Sequence, residues 1–152
     1  METKRLASAS WIAFRLEGRT LLVEVKGLVE LAALRQIRAE IAEFIGSARV
    51  DKILVDFRQS ILAVSSEDWH AVCVESARSA PDLRVGILGC EVQYEELWRH
   101  CQSMVRHGFT RVVFKSADRA RDWAGLPASL LRSQEFVLVS PPPPAVRDFP
   151  QR

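Results

Sequence analysis

The run from Asp51 to Arg58, Asp-Lys-Ile-Leu-Val-Asp-Phe-Arg, is a short apolar stretch that sets a carboxylate, Asp56, and a guanidinium, Arg58, just before the stretch Gln59 to Ser66, which is polar at both ends. An α/β sheet places its working loop at such a junction, where the carboxyl end of a strand hands over to a helix. Asp56 at that point can bind a ligand or cation, although a carboxylate there more often accepts hydrogen bonds from neighbouring backbone N–H groups. Arg58 can clamp an anion or pair with Asp56. No nucleophile with its base, no metal cluster and no glycine cradle accompanies the two. The chain is therefore read as a non-enzyme with no catalytic residue, no metal and no cofactor.

The other reactive residue types do not assemble into a site by spacing. His100 and His107 lie two helical turns apart, too far to share an ion within one helix, and His70, His100 and His107 are all expected at the surface, with Glu96 and His100 as an i, i+4 pair. Cys73, Cys90 and Cys101 form an odd set without paired spacing, which suits a reduced, cytoplasmic protein, and Cys90 reads as a small buried hydrophobe. Gly86-Ile87-Leu88-Gly89 lacks the glycine spacing and the lysine of a phosphate loop. Arg99, Arg106, Arg111, Lys115, Arg119 and Arg121 make the later half basic, and are read as the wet sides of two helices and a strand. Trp11, Trp69, Trp98 and Trp123 fall one to each element and are expected to pack inward, although Trp69 and Trp98 together would line a pocket for a small apolar or lipid-like ligand.

These residues need a body to position them. At 152 residues, 48% of them hydrophobic and 26% charged, the chain has the size and balance of one globular domain with a real core. Its formal charge of +2 is too small to argue for nucleic acid. The start, Met1 to Ser10, is polar and basic, and no stretch stays apolar long enough for membrane insertion.

Periodicity supplies the elements. Trp11 to Leu16 and Thr20 to Lys26 read as two strands joined by a tight turn at Gly18, with Gly27 breaking the second. From Val29, Leu31, Leu34, Ile37, Ile41 and Phe44 mark a helix with one buried stripe, closed by Gly46. The Asp51 strand follows, then a helix from about Ser66 in which Ser65 with Asp68 resembles a capping box. Leu83 to Cys90 is a strand with Gly86 and Gly89 inside it, where glycine lets another backbone come close. A helix over about Val92 to Arg106 places Tyr94, Leu97, Trp98, Cys101, Met104 and Val105 on its inner stripe. Thr110 to Lys115 is the last sheet strand, and Ser116 caps a short helix that ends at Gly125.

The order β-β-α-β-α-β-α-β-α predicts an α/β fold: a mixed, mostly parallel five-stranded sheet with an N-terminal antiparallel hairpin and four helices. Residues 1–126 form the domain. Residues 127–152, with Pro141 to Pro144, are expected to be an extended tail, with Glu135 to Val139 as a stray strand at most.

This element order, with Val-Asp-Phe before the loop, Arg-Val-Gly-Ile-Leu-Gly in the next strand and Phe-Lys-Ser-Ala-Asp-Arg-Ala-Arg-Asp-Trp at the end, resembles the bacterial SpoIIAA-like family, related to the STAS domain. The resemblance covers roughly Trp11 to Gly125 on that element order. It implies a regulatory module in which a serine at the start of the helix after the loop is phosphorylated by a kinase partner. Ser65 or Ser66 falls near that position, in Val64-Ser65-Ser66-Glu67 where the family has Asp-Ser-Ser/Thr-Gly. It also implies a superfamily-level likeness to lipid-transfer folds.

The expected function is accordingly a non-enzymatic, cytoplasmic interaction module that binds a protein partner, or a second copy as a homodimer, through the loop Arg58 to Ser66. Asp56, Arg58, Ser60, Ile61, Leu62 and Val64 are its contact residues. Ile61 to Val64 are four apolar residues in a row within a predicted loop, and such residues need a cover. The alternative is a carrier of a small apolar ligand held between the sheet and the second and third helices.

Overall fold

The structure, a computed structural model, describes residues 2–6 and 9–131. Among these residues there are six strands and four helices, three strands first and then helix and strand in alternation: β1 (Glu2–Arg5), β2 (Ser10–Glu17), β3 (Thr20–Val29), α1 (Leu31–Ser47), β4 (Lys52–Leu62), α2 (Ser66–Ser79), β5 (Arg84–Leu88), α3 (Glu91–Arg106), β6 (Arg111–Phe114) and α4 (Ala117–Ala124). The α/β class, the N-terminal hairpin and the four helices are as expected. The sheet has six strands rather than five, because the polar segment Glu2–Arg5 pairs antiparallel with β2, and Lys4 Nζ reaches Glu40 Oε1 on α1 at 2.9 Å.

Strands follow one another in sequence order, β1-β2-β3-β4-β5-β6, antiparallel up to β3 and parallel from there on. The hairpin between β2 and β3 closes Glu17 against Thr20, with Gly18 at φ +61°. Each parallel connection steps one strand in the same direction through a helix, the arrangement that right-handed crossovers produce.

Side chains alternate across the pleat, so β4 feeds two cores. Ile53, Val55 and Phe57 join Leu21, Val23, Leu34, Ile37, Trp69 and Leu97 in the large cluster under α1, α2 and α3. Leu22, Leu54 and Leu88 face the other way, beneath α4 and the segment that follows it. α4 is fastened there at its carboxyl end: Thr20 Oγ1 donates to Ala124 O at 3.0 Å and Lys52 Nζ to Trp123 O at 2.6 Å. Arg121 donates to the carbonyls of Leu130 and Leu131, and Leu126 and Leu131 are buried in this second cluster. Residues 132–152, including the stray strand expected at Glu135 to Val139 and the prolines from Pro141, lie outside the described residues.

Three glycines act otherwise than expected. Gly27 does not end β3: at φ +94° it carries the strand past the backbone of Ala9, whose carbonyl oxygen would lie 2.0 Å from any Cβ there. Gly46 lies inside α1, which stops at Ser47. Gly86 admits a side chain rather than a backbone, since the Trp123 ring would lie 2.7 Å from a Cβ at that position.

Candidate functional site

Asp56 and Arg58 are two apart on β4, at the point where β4 carries one extra residue between the partners of Glu24 and Lys26. The carboxylate is almost fully buried and accepts the Arg58 backbone N–H at 3.0 Å, Arg58 Nε at 3.0 Å and a second guanidinium nitrogen at 2.9 Å. This is a two-pronged ion pair combined with a local backbone bond, so Asp56 takes the commoner of its two expected roles. Glu24 is the register partner of Asp56 on β3. Burial, and next the Asp56 charge, raise its carboxyl above the ordinary value near 4.5, against the pull of Lys26, Arg58 and Arg15. Two acids and one arginine thus share a desolvated patch on the sheet face beyond α4, and the arginine is committed to Asp56.

Beyond Arg58 the structure corrects the expected loop. β4 runs to Leu62, because β3 is long enough to pair with it: Lys26 faces Gln59, Gly27 Ser60, Leu28 Ile61 and Val29 Leu62, after a register shift between Glu24 and Lys26. Ser60 Oγ donates to Val25 O across that shift at 2.8 Å. Only Ala63, Val64 and Ser65 remain as a connection to α2, and Ala63 N–H still bonds Val29 O. The four apolar residues therefore divide. Leu62 and Val64 pack against the main core, whereas Ile61 is 69% exposed and Ala63 is exposed beside it. Ser65 Oγ caps α2 by accepting Asp68 N–H at 3.1 Å, and Ser66 opens the helix in solvent.

Gln93, which spacing alone did not single out, holds this rim in place. Its Oε1 accepts Cys90 N–H at 2.9 Å, and its Nε2 donates to Phe57 O at 2.9 Å and Ser60 O at 2.8 Å. The signal was available, since Cys90-x-x-Gln93 has the spacing of a helix-start pair.

Of the three histidines expected at the surface, His107 is exposed and the other two differ. His100 is buried, stacked on the Trp69 ring at 4.9 Å with an 8° interplanar angle, and its Nε2 has no hydrogen-bond partner among the described residues. Burial lowers its pKa below the ordinary 6.5, opposed by Glu96 and reinforced by Arg99 and His70. His70 is half-buried, its Nδ1 2.8 Å from Ser103 Oγ and its ring near that of exposed His107. Among the described residues no cluster of His, Cys, Asp and Glu could hold a metal ion.

The expected pocket between Trp69 and Trp98 does not form. Trp69 is core, packed on Phe57 and His100, and Trp98 is 43% exposed on α3. The inner stripe of α3 is Leu97, His100, Cys101 and Met104, so Trp98 and Val105 fall outside it. A groove of about 850 Å³ opens elsewhere, between α1 and α2, with Arg38 and Arg111 in its lining. Cys101 is buried, its thiol pushed up to about 12, and Cys90 is half-buried at the start of α3. The basic residues do not form one patch, since Arg106 lies on α3 and Arg119 on α4, across the sheet from each other.

No family model and no curated protein sequence matches the chain. Its likeness to solved structures places it in the SpoIIAA-like, STAS-type fold class. An anti-sigma factor antagonist from Mycobacterium paratuberculosis superposes with a TM-score of 0.56 at 8% identity, covering 76% of this chain and 94% of that one. The anti-sigma factor antagonist SpoIIAA in its unphosphorylated form gives 0.51 at 17% identity, covering 74% and 96%. A protein of the DUF3478 family with a SpoIIAA-like fold, from Shewanella loihica, gives 0.53 at 14% identity, covering 80% and 98%. At these identities the likeness is one of fold. No helix among the described residues is long and apolar enough to cross a membrane.

Proposed function

We propose that this chain is a non-enzymatic regulatory module that works by binding another protein through the rim made by the end of β4 and the start of α2. The observation that carries the reading is the exposure of Ile61 on a well-paired strand, beside exposed Ala63, Ser65 and Ser66. A β-branched apolar side chain held rigidly in solvent gains by being covered, and the polar residues around it supply a hydrogen-bonding border. Two structural neighbours are described as anti-sigma factor antagonists, which supports a protein partner of regulatory type. Three free thiols, two of them buried, suit a reducing compartment such as the cytoplasm.

Ser66 is the proposed site of modification. Ser65 is engaged as the helix cap, whereas the exposed Ser66 hydroxyl makes no hydrogen bond among the described residues. A phosphate there would sit with Glu67 and Asp68 in one turn of α2, adding charge that repels an acidic partner and must be desolvated against an apolar one.

A photoreactive amino acid placed at position 61, with exposed position 49 in the connection that leads into β4 as control, tests the reading in living cells. Covalent adducts are expected from 61 and not from 49, with loss of the adduct in Ser66→Glu. Equal labelling at the two positions, or none at 61, would refute the rim as the contact surface.

A further inference from the structure

The groove between α1 and α2 has a chemistry that the rim does not use. Its walls are aliphatic, from Ile41, Ala42 and Ile45 on α1 and Ala71 and Val72 on α2, and its floor is the sheet at Ile53 and Val85. About 850 Å³ lies within the range of small-molecule sites. Two guanidinium groups enter this apolar space. Arg38 gives one nitrogen to Cys73 Sγ at 3.0 Å, while its Nε is buried with no hydrogen-bond partner among the described residues. Arg111 donates to the carbonyls of Leu83 and Thr110. Neither forms an ion pair with a carboxylate among the described residues. The acids that share the lining, Asp68 and Glu75, are exposed on α2, and Arg35 shares the lining with them.

Two arginines, partly desolvated and close enough to repel, are an unfavourable arrangement unless an anion joins them. Burial, and next the Arg38 charge, pull the Arg111 pKa down, which is the same strain seen from the proton's side. Each guanidinium is a planar fork matched to a carboxylate or phosphate.

We infer that the α1–α2 groove binds a small amphipathic anion, a single carboxylate or phosphate head on an aliphatic tail, with Arg38 and Arg111 holding the head and the helix walls covering the tail. The inference stands apart from the rim, which lies at the end of β4 and has its own readout.

Isothermal titration of the isolated chain with dodecanoate, dodecyl phosphate and dodecanol, each below its micelle concentration, tests it. One or both anions are expected to bind in equimolar ratio, and the relative strength of the two identifies the head. Dodecanol is expected to bind weaker by on the order of tenfold or more, the usual value of a charge-assisted hydrogen bond. Arg38→Gln and Arg111→Gln should each cost a similar factor, with Arg38→Lys, which keeps the charge and loses the fork, falling between. Ala71→Trp, from an exposed position in the groove wall, should abolish binding without altering the circular dichroism spectrum. Dodecanol binding as tightly as the anions, absence of binding by both anions, or unchanged binding in Ala71→Trp would each overturn the inference. Self-association lost in Ala71→Trp while neither anion binds would give the groove to a second copy of the chain instead.

Discussion

His100 joins the core as a neutral ring, and its burial gives the protein a measurable acid sensitivity. Because its pKa is lowered in the folded state, the unfolded chain takes up a proton near the ordinary value of 6.5 while the folded chain still resists it. Stability is therefore lost as the pH falls from neutrality through 6.5 towards the lower folded value. His100→Phe keeps an aromatic ring against Trp69 and removes the proton site, so it should flatten this decline. Urea midpoints compared at about pH 7.5 and about pH 5.5 measure the difference, and an unchanged slope would show that His100 is not the group responsible. The pairing of Asp56 with Arg58 joins two opposite charges two residues apart, which local sequence offers directly. Glu24 beside Asp56 depends on the register between two strands, and the burial of His100 depends on which face of α3 meets α2. Neither is written in any short window of sequence.

β4 shows the same division at the scale of elements. Its apolar half, Ile53 to Phe57, was plain from hydrophobic character, whereas Gln59 and Ser60 read as loop because their polarity argues against a strand. They are strand because β3 extends through Gly27 and offers a ladder, and tertiary pairing outweighs local preference. The start of α2 was legible through Ser65, a cap with a local mechanism. The outer rim of β4 owes its shape to Gln93, whose amide bridges the carbonyls of Phe57 and Ser60. Gln93→Ala leaves both carbonyls without that donor and should cost about 1–3 kcal/mol. Amide hydrogen exchange at Ser60 and Ile61 should quicken at the same time, while exchange at Val55 stays slow. Uniform acceleration along β4 would mean that Gln93 supports the whole fold rather than the rim.

The molecule as a whole has a thick side and a thin side. α1, α2 and α3 cover one face of the sheet with the larger core, and the eight-residue α4 covers part of the other. α4 rests on few fastenings, chiefly Trp123 over Gly86 and the bonds from Thr20 and Lys52 to its last carbonyls. Native-state hydrogen exchange should therefore release the amides of α4 well before those of β3 and β4. Simultaneous release would show that the two clusters unfold as one unit. The sheet was foreseeable in class and in helix number, and its sixth strand was not, since in Glu-Thr-Lys-Arg only Thr3 is of the β-branched or aromatic type that announces a strand, and three charged residues surround it.

That sixth strand constrains how anything can approach. Among the described residues it makes one flank of the sheet a four-residue segment of charged and polar residues, and the other flank, β6, is equally short. Flanks this brief give an incoming polypeptide little ladder to extend, and charge on β1 discourages it further. Association by strand addition is thereby disfavoured on both sides, which leaves side-chain surfaces to decide what this protein meets.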